Sequence, residues 1–203
     1  MTAEHVSPSK LLRPLSPLDG WQAAFDALPN VVAVTEIAFM AQLNLRVDPS
    51  GPAAGAVAKV LGSALPTQPC SSTRSGEYQL LWLGPDEWLI LAPEGAGPEL
   101  ETALREAIGG EPGAVTDVSA QRTTLALSGC ASRELLAKGC SIDLHPKVSP
   151  MGTCVQTLVA QTGIIIVARD ETASDFLLVV RASFAQYFAA WLIDAGVELT
   201  GAC

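Results

Sequence analysis

The first half of the chain shows a pattern of hydrophobic and polar positions that predicts a βαββα unit. Its elements, in order, are a loosely alternating strand at 39–47, a helix carrying Val57, Val60 and Leu61, strands at 78–83 and 88–92, and a helix that begins at Pro98. A loop rich in Pro, Ser, Thr and Gly, 65–76, precedes the two strands, and Gly84, Pro85 and Asp86 join them as a hairpin. The second helix has one apolar face, since its hydrophobic residues recur at three- and four-residue spacing.

The second half of the chain repeats this order of elements. An alternating strand is predicted at 123–127, a helix at 130–138, a hairpin at 154–160 and 164–168, and a further strand at 176–180. Gly139 ends the helix, and a loop through His145 and Pro146 leads to the hairpin. The parallel order indicates an internal structural repeat.

A terminal helix with a continuous apolar stripe completes the second half. Ser183 and Gln186 match a capping box, which predicts where the helix begins, and Gly196 ends it. We expect the stripe to belong to the core. It consists of Phe184, Tyr187, Phe188, Trp191 and Leu192.

Two passes of this kind predict an α+β fold in which antiparallel sheets carry helices on their outer faces. Each pass is too small to bury both faces of its own elements, so the two are expected to pair within a single domain, 31–200, with halves at about 37–110 and 114–197. Residues 1–30 are rich in proline and weakly periodic, and we expect them to form an extended arm that becomes ordered only against a partner.

The overall composition favours a subunit of a larger assembly and argues against two classes of partner. A chain of 203 residues buries about 70% of its unfolded surface, so it can form its own core. Only 16% of its residues are charged, and such a surface is suited to burial against other chains. The net charge of −9 has the wrong sign for binding nucleic acid or anionic lipid.

The sequence contains no pattern typical of a membrane span or a secretory signal. The longest aliphatic run, 164–168, is far shorter than the roughly 20 residues that a span requires. The N-terminal residues lack a basic patch followed by an apolar stretch, so a cytoplasmic location is expected.

The cysteines predict neither a disulfide framework nor a zinc site. Their number is odd and no pair has C-x-x-C spacing, so we expect them to act mainly as small buried hydrophobic residues. The five are Cys70, Cys130, Cys140, Cys154 and Cys203.

Few residues could support catalysis. His145 is the main candidate for a general base, but it has no second histidine to share a metal and no serine in a G-x-S-x-G motif to activate, so a structural or interface role is favoured. Gly95 and Gly97 lie where a phosphate loop would be found, but Glu94 and Glu99 would repel phosphate. We therefore predict no catalytic, cofactor-binding or metal-binding residue in this chain.

Three further residues are interpreted as core, surface or interface positions. Asp86 lies on the hairpin turn, where a solvated turn residue explains it better than acid–base chemistry. Arg122 lies near Asp117 and Ser119 just before a strand, and the group could form a local cap, an ion pair or a recognition point. Trp88 belongs to the hairpin, where packing in the core or at an interface is favoured over ligand binding.

Five strings of the sequence, in the same order and at compatible spacing, resemble the gamma subunit of heterotetrameric sarcosine oxidase. They are LGPDEWLIL (83–91), DVSAQRTTLALSG (117–129), LLAKGCSIDLHP (135–146), GTCVQT (152–157) and FLLVVRASFAQYFAAWLIDAG (176–196). The likeness covers roughly residues 11–199. This family is related in fold to the folate-binding region of aminomethyltransferases such as the glycine cleavage T-protein, which contains an internal repeat.

The resemblance implies a complex of alpha, beta, gamma and delta chains that oxidises sarcosine to glycine, with formation of hydrogen peroxide and methylenetetrahydrofolate. In that family FAD and FMN are associated with the beta chain and its alpha interface, NAD and folate with alpha, and zinc with delta, whereas gamma carries none of them. The chain is then expected to dock on the alpha and beta chains as a non-catalytic subunit. Its candidate interface residues are Asp86, Trp88, Arg122 and His145, together with the N-terminal arm.

Two alternatives remain open at this point. One is a free-standing folate-binding or aminomethyltransferase-like protein, and the other is the equivalent subunit of another N-methyl amino acid oxidase or dehydrogenase. The sequence departs from the gamma-subunit pattern at 147–151, where an aromatic residue would be expected soon after His145 and Pro146. No counterpart of a T-protein catalytic aspartate can be assigned, so independent aminomethyl transfer is not expected.

Overall fold

A computed structural model describes residues 13–199 of the chain, through which strands and helices alternate. Within this range the strands are β1 (Ala33–Ile37), β2 (Ala41–Val47), β3 (Ser72–Ser75), β4 (Tyr78–Gly84), β5 (Glu87–Ala92), β6 (Gly113–Asp117), β7 (Arg122–Ser128), β8 (Cys154–Val159), β9 (Thr162–Ala168) and β10 (Asp175–Arg181). The α-helices of the same range are α1 (Gln22–Phe25), α2 (Pro52–Leu61), α3 (Gly97–Ile108), α4 (Ser132–Ala137) and α5 (Ala185–Gly196).

The strands form two antiparallel sheets with the same internal order. Sheet I has the order β6-β2-β5-β4-β3, and sheet II has the corresponding order β1-β7-β10-β9-β8. Each half of the described chain therefore reads ββαβββα. The predicted fold class, an α+β arrangement of two related antiparallel repeats, is confirmed, but each half begins with a strand that the predicted βαββα pattern lacks, and the first half also gains β3.

The first strand of each half pairs with the other half. Strand β1 pairs with β7, with Val34 opposite Leu127, and β6 pairs with β2, with Val115 opposite Leu45. Because each sheet takes one edge strand from the other half, neither sheet is completed by a continuous stretch of chain. This exchange of strands joins the two halves into one interlocked body.

The molecule has four layers, with helices on the outer face of each sheet and the two sheets packed against each other. Along β10, Phe176 and Leu178 point into the core beneath the helices, while Leu177 and Val179 point toward sheet I. Such a strand is covered on both faces, which explains its continuous hydrophobic run. Helices α2 and α3 cover sheet I, and α1, α4 and α5 cover sheet II.

Helix α2 shows how local sequence fixes an element. Gly51 has an extended backbone, and Pro52 supplies the fixed φ of the first helical turn. Gly62 ends the helix with a left-handed φ of 71°, which glycine adopts without a Cβ penalty. Ala53 and Val57 are buried together with Leu61 at four-residue spacing, so the helix packs through a single stripe.

Helix α5 differs from its prediction at its N-terminus and along its stripe. It begins at Ala185 after a 3₁₀ turn, without a side-chain cap, so the predicted capping box of Ser183 and Gln186 is wrong. Phe188 and Leu192 are buried in the core, and Trp191 is half-buried and stacks on Phe188 with ring centroids 5.9 Å apart. The remaining members of the stripe, Phe184 and Tyr187, are exposed.

Residues 13–30 pack against the chain's own core, which differs from the expected extended arm. Leu18, Phe25 and Leu28 are buried in the cluster beneath sheet II, and Trp21 packs against the same cluster. Their spacing of three to four residues is that of a helical face, although only α1 is helical in this segment. The rest of the predicted arm, 1–12, lies outside the described residues.

The cysteines of the described chain differ in exposure. Cys140 and Cys154 are buried as expected, whereas Cys70 is exposed, and burial raises the pKa of the Cys154 thiol to about 12.

None of the helices described in the chain is both long and apolar enough to cross a bilayer.

Candidate functional site

Trp88 lies in the interior of the chain, so its prediction as an interface residue is wrong. It is 0% exposed and belongs to the core between sheet I and its helices, where its indole Nε1 donates a hydrogen bond of 2.7 Å to the carbonyl oxygen of Pro66. Strand β5 lies in the middle of sheet I and is covered on both faces. Both faces of β5 are buried, so Trp88 cannot face solvent even though the hairpin turn beside it is polar.

Asp86 lies at the surface, on the turn that joins β4 to β5. Both of its carboxylate oxygens accept hydrogen bonds from Arg46 Nη2, at 2.9 and 2.7 Å. Since both side chains are about half exposed, the pair adds little to stability. The pair borders a cleft of about 460 Å³ together with Pro49, Pro85 and Pro112. The structure thus holds Asp86 in one orientation while leaving it accessible.

His145 lies in a loop that local hydrogen bonds hold in place. Its backbone N–H donates to Asp143 Oδ1 at 2.8 Å, and its ring Nδ1 accepts from the backbone N–H of Lys147 at 3.2 Å. Buried Ser149 completes the loop, since its hydroxyl donates to the carbonyl oxygen of Asp143 at 2.8 Å. The imidazole is therefore exposed and tied to a turn, as a structural or interface histidine would be.

The same loop presents two apolar side chains that the sequence patterns did not single out. Val148 is 63% exposed and Met151 is 54% exposed. An adjacent cleft of about 540 Å³ is lined by His145, Arg133 and Glu134. Two exposed side chains do not amount to an extended apolar patch, but they give this loop a local apolar surface. A residue in a short polar loop carries no periodicity, so this signal could not have been found from pattern alone.

Arg122 lies at the start of β7, on the face of sheet II that points toward sheet I. It does not form an ion pair with Asp117, whose Oδ1 instead accepts the backbone N–H of Ser119 at 2.8 Å. The hydroxyl of Ser119 in turn accepts the backbone N–H of Gln42 at 2.9 Å. Asp117 and Ser119 thus belong to the turn between β6 and β7, and Ser119 ties this turn to β2. A local cap, an ion pair and a recognition point were the three possibilities for Asp117, Ser119 and Arg122. The local cap describes Asp117 and Ser119, but it does not include Arg122.

The neighbour of Arg122 is Arg181, which the sequence reasoning missed. The two residues are directly opposite each other in the pairing of β7 with β10. Both border a third cleft, of about 440 Å³. Burial lowers the pKa of Arg122, and the positive charge of Arg181 lowers it further, while the carboxylate of Glu87 acts in the opposite direction. A long-range register of this kind cannot be inferred from the spacing of residues along the chain.

The accessible candidates do not converge on one centre. Asp86, His145 and Arg122 border three different clefts, and Trp88 borders none of these three. Among residues 13–199, no group of three or more His, Cys, Asp and Glu side chains is arranged to hold a metal ion. The predicted site residues are therefore distributed over separate parts of the described surface and do not form one reaction centre.

Comparisons with known proteins agree in pointing to one family. The model of the sarcosine oxidase gamma subunit family matches residues 46–198. Sarcosine oxidase subunit gamma of Corynebacterium sp. (strain P-1) is 40% identical over 170 residues, which cover 83% of this chain and 82% of that protein. Sarcosine oxidase subunit gamma of an Arthrobacter species is 39% identical over 170 residues, which likewise cover 83% of this chain and 82% of that protein.

Solved structures extend the likeness to the whole fold. A chain of heterotetrameric sarcosine oxidase from Corynebacterium sp. U-96, in complex with pyrrole 2-carboxylate, matches with a TM-score of 0.85 and 34% identity, covering 94% of this chain and 98% of that one. The glycine cleavage system aminomethyltransferase T from Bartonella henselae matches with a TM-score of 0.62 and 17% identity, covering 89% of this chain and 50% of that one. The second likeness concerns the fold alone.

Proposed function

The chain belongs to the sarcosine oxidase gamma subunit family and is a gamma subunit of heterotetrameric sarcosine oxidase, and we propose that it stabilises the catalytic chains by packing against them. The observation that carries this proposal is the match over 94% of the chain to a chain of a solved heterotetramer. The gamma subunit itself is non-catalytic, and its contribution is burial of surface.

The proposed partners are the alpha, beta and delta chains of the complex. These would carry FAD, FMN, NAD and zinc, with tetrahydrofolate as co-substrate, and the assembly would act in the cytoplasm. In the proposed reaction, sarcosine, oxygen and tetrahydrofolate give glycine, hydrogen peroxide and methylenetetrahydrofolate. The methyl group of sarcosine loses two electrons, which pass through flavin to oxygen, and the one-carbon unit is transferred to folate.

Exposed apolar side chains support a packing role. Large hydrophobic residues that lie at the surface of the described chain include Val148, Met151, Leu158, Phe184 and Tyr187. Removing apolar surface from water contributes about 25 cal/mol per Å². These side chains lie on separate elements and are suited to contact with more than one neighbouring chain.

Co-expression of the catalytic chains with and without this chain tests the proposal. Without this chain, we expect a lower yield of assembled complex. We also expect less flavin absorbance and slower sarcosine-dependent formation of hydrogen peroxide when the samples are compared at the same protein concentration. Catalytic chains that assemble, retain flavin and oxidise sarcosine normally without this chain would refute the proposed role.

A further inference from the structure

Two arginines lie side by side in a cleft that the known family relationship does not explain. Arg122 and Arg181 are opposite each other on neighbouring strands of sheet II. The cleft they border measures about 440 Å³, and we call it the arginine cleft. Its other principal lining residues are Gln156, Thr157, Leu158 and Ile165. Gln156 marks the border with sheet I, since its side-chain amide donates a hydrogen bond of 2.9 Å to the carbonyl oxygen of Leu83.

Neither guanidinium of the arginine cleft has a carboxylate partner within the described residues 13–199. Four other arginines of the described chain form ion pairs, which are Arg13 with Asp19, Arg46 with Asp86, Arg105 with Glu101, and Arg169 with Asp175. Acidic residues outnumber Lys and Arg by 21 to 12, so counter-charges are plentiful in this chain. Arg74 and Arg133 also form no ion pair within residues 13–199, but of these four arginines only Arg122 and Arg181 lie opposite each other on paired strands.

The pairing of Arg122 with Arg181 costs stability in the isolated chain. Like charges directly opposite each other on antiparallel strands destabilise a sheet. Arg122 is also half-buried, and burial and the charge of Arg181 both lower its pKa. The carboxylate of Glu87 offsets part of this effect, but it does not form an ion pair with Arg122 and is hydrogen-bonded to Asn44 Nδ2 at 2.7 Å. An anion from outside the chain would remove the remaining repulsion.

We propose that the arginine cleft binds a carboxylate presented by an acidic segment of a partner subunit. This inference rests on the proposed function, because it assigns one contact of the same assembly. Guanidinium groups match the geometry of a carboxylate, and the two forks of Arg122 and Arg181 can hold its two oxygens from neighbouring strands. Gln156 and Thr157 line the same cleft and add polar groups beside the carboxylate position.

The apolar part of the arginine cleft favours a polypeptide as the occupant. Leu158 on β8 is 59% exposed, whereas Ile165 and Val179, which also line the cleft, are buried and form its apolar floor. A segment that places an acidic residue between the arginines and an apolar residue against Leu158 would satisfy both parts of the cleft. Charge complementarity of this kind contributes to partner specificity and to the rate of association.

Variants that remove one charge at a time test the inference. Arg122→Gln and Arg181→Gln each remove one guanidinium, and Lys59→Gln, on the exposed side of α2, makes the same change of net charge away from the cleft. The dissociation constant for the purified catalytic chains is measured by sedimentation, and the melting temperature of each isolated variant is measured in parallel. We expect about 10- to 100-fold weaker binding for each arginine variant and unchanged binding for Lys59→Gln.

The sign of the stability change separates a binding role from a structural one. Because like-charge repulsion is relieved, isolated Arg181→Gln is expected to melt at the same temperature as the wild type or higher, while binding its partners more weakly. Arg122→Lys keeps the charge but loses the planar fork, so its affinity is expected to lie between those of wild type and Arg122→Gln.

The outcomes distinguish this inference from the proposed function. If the wild-type chain does not bind the catalytic chains at all, the proposed function fails. If the wild type binds and both arginine variants bind with wild-type affinity, only the inference is overturned. Binding of a free dicarboxylate such as glutarate to the isolated chain, with normal assembly of both variants, would also overturn it, in favour of a small-molecule site.

Discussion

Replacement of Trp88 by Phe gives a sharp test of the core assignment of this side chain. The indole is fully buried, and its N–H donates the 2.7 Å hydrogen bond to Pro66. Phe removes about 40 Å³ of volume, which at about 24 cal/mol per Å³ costs about 1 kcal/mol. Loss of the hydrogen bond leaves the Pro66 carbonyl without this donor and costs about 1–2 kcal/mol. The expected decrease in the free energy of unfolding is therefore about 2–3 kcal/mol.

Thermal unfolding of the isolated chain, followed by circular dichroism, measures this effect. For a domain of this size, 1 kcal/mol shifts the melting temperature by about 2–4 °C, so Trp88→Phe is expected to lower it by about 4–12 °C. Tyr187→Phe is the control, since it also removes a polar group from an aromatic ring but lies at the surface. Its stability is expected to stay within about 0.5 kcal/mol of wild type.

Burial of Trp88 also determines how the variant is expected to behave in the complex. Folded Trp88→Phe should bind the catalytic chains with wild-type affinity at temperatures well below its melting point. A variant that melts like the wild type but no longer binds its partners would contradict the core assignment and restore the interface interpretation.

Three further predictions concern a close approach of the backbone, an acidic turn and an exposed loop. Gly129 has a φ of +120°, and a Cβ there would lie 2.3 Å from a backbone carbonyl oxygen, so Gly129→Ala should lower the free energy of unfolding in urea by at least about 3 kcal/mol. Gly55→Ala is the control, because a Cβ at this position of α2 has free space, and it should raise the free energy of unfolding by about 0.5–1 kcal/mol. Burial alone would raise the pKa of Asp170, but hydroxyl and backbone N–H donors outweigh it and hold the pKa well below 3.8. The ionised carboxylate therefore stabilises the folded chain fully above about pH 4, and this stabilisation is lost as the pH falls further. The melting temperature of Asp170→Asn should accordingly fall less steeply in acid than that of the wild type. Val148→Ser should leave the melting temperature within about 1 °C of wild type and weaken binding of the catalytic chains, and unchanged binding would show that the His145 loop lies outside the interface.

The elements with strong local signals could be predicted from the sequence. Helix α2 has Pro52 at its start and Gly62 at its end, and the β4–β5 hairpin has its turn residues between two apolar runs. Strand β3 was missed because Ser72–Ser75 carries no apolar alternation and lies at the edge of sheet I. Its pairing depends on β4, which is a tertiary contact rather than a local preference.

The two exchanged strands carry similar short sequences. Residues 34–37 read VTEI and residues 115–118 read VTDV, and these strings fall in β1 and, apart from Val118, in β6, which occupy equivalent edges of the two sheets. A search for short internal repeats would have found them. Their pairing with the opposite half would still have required the structure, because sequence similarity does not say which strand is the neighbour.

The candidate site was predicted only in part, for a reason that depends on tertiary structure. Asp86 and His145 are exposed, as turn and loop residues usually are, but Trp88 is buried because its strand is central in the sheet. The environment of Arg122 depends on Arg181, which is 59 positions away and adjacent only through the pairing of β7 with β10. Exposure and long-range register are properties of the folded chain.

The most direct test of the account is sedimentation velocity of the purified chain mixed with its purified catalytic chains. The chain is expected to move with them in one boundary that also carries the flavin absorbance, and the chain alone is expected to show neither flavin absorbance nor sarcosine oxidation. A chain that sediments separately from a complete, flavin-containing and fully active set of catalytic chains would contradict it.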